Sequence, residues 1–230
     1  MIVVVGSSYD DRARKIAAHW GTQCAAMLTA EDLCKPGWSL SIPETDYGRA
    51  VIGGEVVQST RISGILTLRP CVFPEELLNI RSEDRQYVAA ELTAFLLAWL
   101  TMQPCRVFNR PVAPCLAGPN WRPEQWIYAA ESLGIPVQMR HRHVPNGGDS
   151  EAASNEEEAV EITTVGNRCF GCDDPVLETW AMQLAREAKV ELLSVCFSRG
   201  GHRFLSANPW PALTAPAILT AVYERLENIR

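Results

Sequence analysis

The sequence predicts an α/β fold in two lobes. Short apolar runs alternate with helix-period segments from Ile2 to Arg140, a strongly polar stretch interrupts them, and a second α/β series follows. Pro145 to Glu158 reads PNGGDSEAASNEEE, which is acidic, contains glycine and cannot bury a core, so a linker or disordered loop is expected there. The expected division is an N-terminal and linker lobe over 1–144, a polar acidic loop over 145–158 and a C-terminal lobe over 159–230.

Ile2–Val5 is an unbroken apolar run, the pattern of a strand covered on both faces. Asp10 is placed to cap a helix reaching Trp20, with Ile16 and Trp20 on one face. Short extended pieces are expected around Gln23–Leu28 and Trp38–Ile42, and Gly53-Gly54 joins Tyr47–Ile52 to Glu55–Gln58 as a hairpin. Ile62–Leu68 reads as a further strand. Ser82 should open a long helix whose Val88, Leu92, Phe95, Leu96 and Trp99 recur at helical spacing. Arg106–Phe108 is a short strand, and Pro123 to Gly134 frames a helix with Trp126, Ile127, Ala130 and Leu133 inward. Beyond the polar stretch, Gly166-Asn167 turns a hairpin of Val160–Val165 and Arg168–Phe170. Asp174-Pro175 starts a helix with Leu177, Trp180, Ala181, Leu184 and Ala188 inward. Leu192–Phe197 and His202–Ala207 are strands, and Thr214 to Ile229 is an amphipathic helix.

The totals exclude some classes. With 47% hydrophobic residues in 230, a packed core is available, and a net charge of −6 gives no basic surface for nucleic acid. Of 21 basic residues only Lys15, Lys35 and Lys189 are lysines; the arginines suit carboxylate groups, although a compositional bias of the source is the better explanation. The eight cysteines read as reduced core thiols. Ile2–Val5 reads as a strand, not a signal peptide, and Val88 to Met102 contains Glu91 and is too short to span a bilayer, so a cytoplasmic protein without a membrane partner is expected.

Several constellations have two readings. Cys169-x-x-Cys172 is half a zinc site or a redox pair, or else a strand ending in a turn. His141 and His143 offer a metal or acid–base pair, or the edge of a solvated loop. Gly6-Ser7-Ser8 lacks the spacing of a phosphate loop and reads as a plain connection. Asn109-Arg110, Asn120-Trp121-Arg122 and Asn208-Pro209-Trp210 lie at predicted strand ends, where α/β folds place ligand clefts or simply turn.

The order of these pieces resembles the ATP-grasp peptide ligases. Val107-Phe108-Asn109-Arg110-Pro111 followed by NWRPEQWIYAAESLGIP (Asn120–Pro136) is similar to the start of that family's second lobe. EITTVGNRCFGC (Glu161–Cys172) resembles its late hairpin, and FLSANP (Phe204–Pro209) its closing F-L-E-V-N-P motif. The resemblance covers 1–141 and 159–230, and it implies a two-lobed, degenerate ATP-grasp-like fold lacking the central lobe that clamps the nucleotide. The family's three magnesium positions fall on Cys196, Ser206 and Asn208, two of which have lost a carboxylate, and its phosphate lysines have no counterpart. The resemblance thus implies no nucleotide or metal cofactor and a chain that leans away from catalysis. It is similar in this to the truncated, peptide-binding ATP-grasp-like proteins of crocagin biosynthesis. What remains is the grip on a precursor peptide, leader or core, by strand addition to a hairpin edge. The implied contacts are Glu161, Ile162, Thr163, Thr164, Val165, Arg168 and Phe170, with Trp180, and Arg110, Trp121, Arg122 and Arg140. The implied partners are that peptide and its modifying enzymes, and a homodimer is expected. The alternative is an enzyme with residual ligase activity, or an ATP-independent cyclase using His141, His143 or Cys196 for proton transfer.

Overall fold

The computed structural model describes residues 1–40, 48–137, 159–200 and 202–227. The first lobe is built on a parallel sheet of β1 (Ile2–Val5), β2 (Ala25–Leu28), β5 (Gly64–Thr67) and β6 (Arg106–Phe108), in the order β2-β1-β5-β6. All four residues of β1 are buried, as an apolar run without alternation requires. Ile2 and Val4 face α1 (Asp11–Trp20), whose Ala13, Ile16 and Trp20 are buried against them. Val3 and Val5 face the opposite layer, formed by α3 (Arg85–Met102) and the hairpin β3 (Arg49–Ile52) and β4 (Glu55–Gln58). The hairpin turns at Gly53 and Gly54 with φ of 59° and 85°, the left-handed pair that a two-residue turn needs. A one-turn helix, α2 (Ala30–Leu33), joins β2 to this layer.

Asp10 caps α1 as expected, accepting from the Arg12 backbone N–H at 2.9 Å. The long helix starts at Arg85 instead of Ser82. Arg81 draws the Glu83 and Asp84 carboxylates to 3.1 and 2.9 Å, so neither caps the first turn. Ser39 pairs with Arg49 as an isolated bridge, and the rest of the extended piece expected to reach Ile42 lies outside the described residues.

The second lobe is an antiparallel sheet of β7 (Ala159–Val165), β8 (Arg168–Phe170), β9 (Leu192–Ser198) and β10 (Phe204–Asn208), ordered β10-β9-β7-β8. One face carries Ile162, Leu193, Val195 and Phe197 against α4 (Pro123–Ser132) and α5 (Pro175–Glu187). Thus α4, on the N-terminal side of residue 144, packs in the second layer. The last described helix, α6 (Pro216–Glu227), runs back to the first sheet and seals the Ile2 and Val4 face with Leu219, Val222 and Leu226. The loop 145–158 and the strand end expected at Arg140 lie outside the described residues. No helix among the described residues is long and apolar enough to cross a membrane.

Two devices lock α6 and the lobes together. A Cβ at Gly64 would lie 2.6 Å from the Leu226 carbonyl and 2.7 Å from its Cβ, so the helix rests on bare strand backbone. Gly64→Ala is expected to destabilise by about 2 kcal/mol in urea unfolding, because the backbone it meets cannot yield. The buried Asn109 is the second device. Its Nδ2 donates to the carbonyls of Leu192 and Pro209, both at 2.8 Å. Its Oδ1 accepts from the N–H groups of Glu191 and Leu192 at 3.1 and 3.0 Å. One side chain from the end of β6 therefore holds the start of β9 and the end of β10.

Candidate functional site

The hairpin β7–β8 closes on Val165 and Arg168 through the two-residue turn that the sequence indicated. Strand β7 is paired on both sides, with β8 and with β9, so Ile162, Thr164 and Val165 are buried and Thr163 nearly so. The outer edge of β8 has no strand partner among the described residues. Beside it runs α5, started by Asp174, whose carboxylate accepts from Val176 N–H at 2.9 Å, and by Pro175 in the first turn. The core stripe of α5 is Leu177, Ala181, Leu184, Ala185 and Ala188. Its flank towards β8 presents Glu178, Thr179, Met182, Gln183 and Arg186 to a groove of about 300 Å³ shared with Asn167 and Cys169.

The groove residues were legible only as the polar side of α5, at i, i+4 spacing; no motif marks them. Trp180, expected with the cradle, lies on the other flank of α5, 6.0 Å from Phe197 and 6.5 Å from His202 between ring centroids. Arg168 reaches across to α6 and pairs with Glu224 at 2.7 Å, its guanidinium 5.2 Å from the Phe170 ring. Cys169 donates to the Glu178 carbonyl at 3.9 Å and Cys172 accepts from Asp174 N–H at 3.4 Å, contacts of a strand end and a turn.

A second place is the other face of the same sheet, exposed at Glu161, Ser206 and Asn208. The pairings set Glu161, Cys196 and Ser206 in one cross-strand row, and Phe170, Thr163, Ser194 and Asn208 in the next. Cys196, Ser206 and Asn208, the positions that the sequence resemblance sets at metal ligands, are therefore brought together on one face. Their chemistry does not suit magnesium, which takes hard oxygen ligands, chiefly carboxylates. Burial pushes the Cys196 thiol up, a hydrogen bond with Ser206 opposes this, and the Glu161 charge adds to the rise, so it is a neutral thiol at pH 7. Asn208 spends Oδ1 on Trp210 N–H at 2.9 Å and Nδ2 on the Trp210 carbonyl at 3.1 Å. Glu161, the carboxylate of these rows, accepts from the Ser194 hydroxyl. No three His, Cys, Asp or Glu side chains converge to hold a metal among the described residues.

The third place is a cleft of about 970 Å³ where the lobes meet, lined by Arg110 and Trp121 with Arg106, Lys189 and Glu191 among others. Glu191 is gripped from both lobes, by Arg106 at 3.2 Å and by Arg225 at 2.9 Å. Trp121 packs on Trp126 with centroids 4.7 Å apart, and Arg122 N–H bonds the Gln125 side chain at 2.9 Å to start α4. Trp210 donates its indole N–H to the Ala117 carbonyl at 2.8 Å and serves as an anchor. Arg140, His141 and His143 lie outside the described residues.

A parallel sheet with helices on both faces is joined to an antiparallel sheet, and the likeness to solved structures gives the class: an ATP-grasp-like α/β fold. No family model matches the chain, and no curated protein does. Solved structures do. The macrocyclase MdnC bound with precursor peptide MdnA, from Microcystis aeruginosa, superposes with a TM-score of 0.70 at 12% identity, covering 99% of each chain. The ATP-grasp ligase PsnB, complexed with minimal precursor, Mg and ADP, gives 0.67 at 13% identity over 99% of this chain and 98% of that one. A Chryseobacterium gregarium RiPP-associated ATP-grasp ligase with ADP and a leader and core peptide gives 0.67 at 10% identity over 98% and 96%.

Proposed function

We propose that the chain binds a ribosomally made precursor peptide and holds it for partner enzymes, without ligating it at the expense of ATP. The observation that carries this is the open edge of β8 beside the α5 groove. An extended peptide gains backbone hydrogen bonds there, and side chains of one parity drop into the groove. The fold supports the peptide part of the reading, because MdnC, PsnB and the Chryseobacterium ligase were all solved with precursor peptides. The polar face supports the non-ligating part. A neutral thiol, a spent amide and a hydroxyl stand at the magnesium positions. Of the lysines, Lys15 lies on α1, Lys189 follows α5, and Lys35 is tied to Glu31 at 2.9 Å, so none stands on the strands of that face. A homodimer and the modifying enzymes complete the reading as its partners.

Titrating a fluorescently labelled precursor, encoded near this gene, into the protein tests it. The expected result is saturable binding at micromolar or lower concentration, unchanged by ATP and magnesium; no binding removes the proposal. Residual ligase activity is the competing reading, and Glu161 on the polar face is the observation in its favour. Heat on titrating ATP with magnesium, or a mass change in a peptide incubated with the protein, would decide for an enzyme.

A further inference from the structure

The parallel sheet contains a feature that the peptide groove does not use. After β1 the chain passes to α1 on one face, and after β5 it passes to α3 on the other. Between adjacent strands whose connections part in this way, a crevice opens at the carboxyl ends, where open α/β sheets bind ligands. Here that crevice lies between Gly6-Ser7 and Leu68-Arg69, far in the sequence from β8. A cavity of about 390 Å³ occupies it, lined by Ser7, Tyr9, Asp10, Arg69, Phe73 and Glu75 among others. A neighbouring cavity of about 400 Å³ shares Tyr9 and Glu76 with it and adds Glu31, Lys35 and Leu78.

Glu76 is the centre. Its side chain is only 6% exposed, and Oε2 is taken by the Arg69 guanidinium and by Phe73 N–H at 3.2 Å. Its Oε1 is buried and has no hydrogen-bond partner among the described residues, and the residue stands in the lining of both cavities. A buried carboxylate oxygen without a donor is costly and marks a place where a donor belongs. Arg69 gives its contact to Oε2, and its Nε and Nη1 donate to the Cys71 and Gly6 carbonyls at 2.8 and 3.3 Å. Around the mouth stand four carboxylates (Asp10, Glu31, Glu75, Glu76) against Arg69 and Lys35, so the lining is net acidic. Asp10 and Glu31 are held by Arg12 and Lys35, leaving Glu75 at the rim with Glu76 within. Tyr9 and Phe73 are 66% and 42% exposed beside them, aromatic faces of the kind on which a planar cation stacks.

We infer that this crevice is a second binding site, for a guanidinium group, with Glu76 Oε1 and Glu75 as acceptors and Tyr9 and Phe73 as stacking faces. A divalent metal is the poorer occupant, because no third ligand converges and Arg69 lies alongside. The group is carried by an arginine side chain of a peptide or by a free alkylguanidine; the chemistry is shared.

The test is a chemical-shift titration of the full chain with N-acetyl-arginine amide, butylguanidinium and, as the uncharged isostere, N-acetyl-citrulline amide. The arginine amide or butylguanidinium should saturate with a Kd on the order of 1 mM, and citrulline at least about tenfold more weakly. Tighter binding of the arginine amide assigns the site to peptides, and tighter binding of butylguanidinium to free guanidines; either upholds it. Glu76→Gln should weaken binding about tenfold and Glu75→Gln about threefold. Glu76→Gln also breaks a buried pair, so Glu75→Gln and Phe73→Ala, at the surface, carry the test if that variant melts early. Equal binding of citrulline, no saturation by either cation, or indifference to Glu75→Gln and Phe73→Ala overturns the inference.

Discussion

Asn109→Ala should lower the unfolding free energy by about 3 kcal/mol, among the larger losses a single substitution produces. Asn109 is 4% exposed and makes four hydrogen bonds to backbone groups 82 to 100 residues away in sequence. Alanine would leave two donors and two acceptors buried without partners. It would also place a different residue at φ 50°, a conformation that asparagine tolerates better than alanine. Neighbouring Gly118 leaves no slack, since a Cβ there would lie 2.8 Å from the Asn109 Cβ. Asn109→Asp separates the two causes. It fits the site and the backbone angle but removes two donors and sets a carboxylate against the Leu192 and Pro209 carbonyls, so it should destabilise at least as much. Denaturant unfolding of both variants measures this. If either variant stays within about 0.5 kcal/mol of the parent, the side chain is not the clasp between the lobes.

Cys169→Pro should cut precursor-peptide affinity by about tenfold or more. In a two-residue hairpin the closing pair exchanges both bonds, so at the next pair, Thr164 and Cys169, the backbone N–H of Cys169 turns away from β7. Proline there removes a donor that the hairpin does not need, which is why edge strands tolerate it. Cys169→Ala is the control: it keeps the N–H, loses a thiol that burial holds protonated, and should bind as the parent does. Met182→Asp, in the groove floor, should weaken binding independently by placing a carboxylate where side chains of the peptide would pack. Unchanged affinity in Cys169→Pro would move the peptide away from the β8 edge.

Local signals carried most of the fold. The four apolar residues of β1, the Gly53-Gly54 turn and the Asp174-Pro175 start of α5 each state their conformation within a few residues. Lobe membership is different in kind. Nothing within Pro123–Ser132 or Pro216–Glu227 says which sheet will receive it, because both helices are amphipathic and the choice is made by long-range packing. The site was legible in part for the same reason. The alternation Glu161, Cys196, Ser206 and Asn208 on one face follows from strand period once the pairing is known. Helical period sets Trp180 inward and the resemblance sets it at the cradle, but one step of 100° carries it to the other flank, beside Phe197 and His202. The resemblance offers Arg168 as a peptide contact, yet Glu224, 56 residues on, engages it.

The return of α6 to β5 and β6 also bears on how the molecule is made. Strands built from residues 64–67 and 106–108 wait for residues 219–226 before the face carrying Leu66 and Phe108 is shielded from water. During synthesis on the ribosome the parallel sheet therefore stands half-finished, with Leu66 and Phe108 wetted, until nearly all the described chain has emerged. Contacts of such long sequence separation close slowly, and an interrupted nascent chain would offer a sticky sheet face to chaperones or to its own copies.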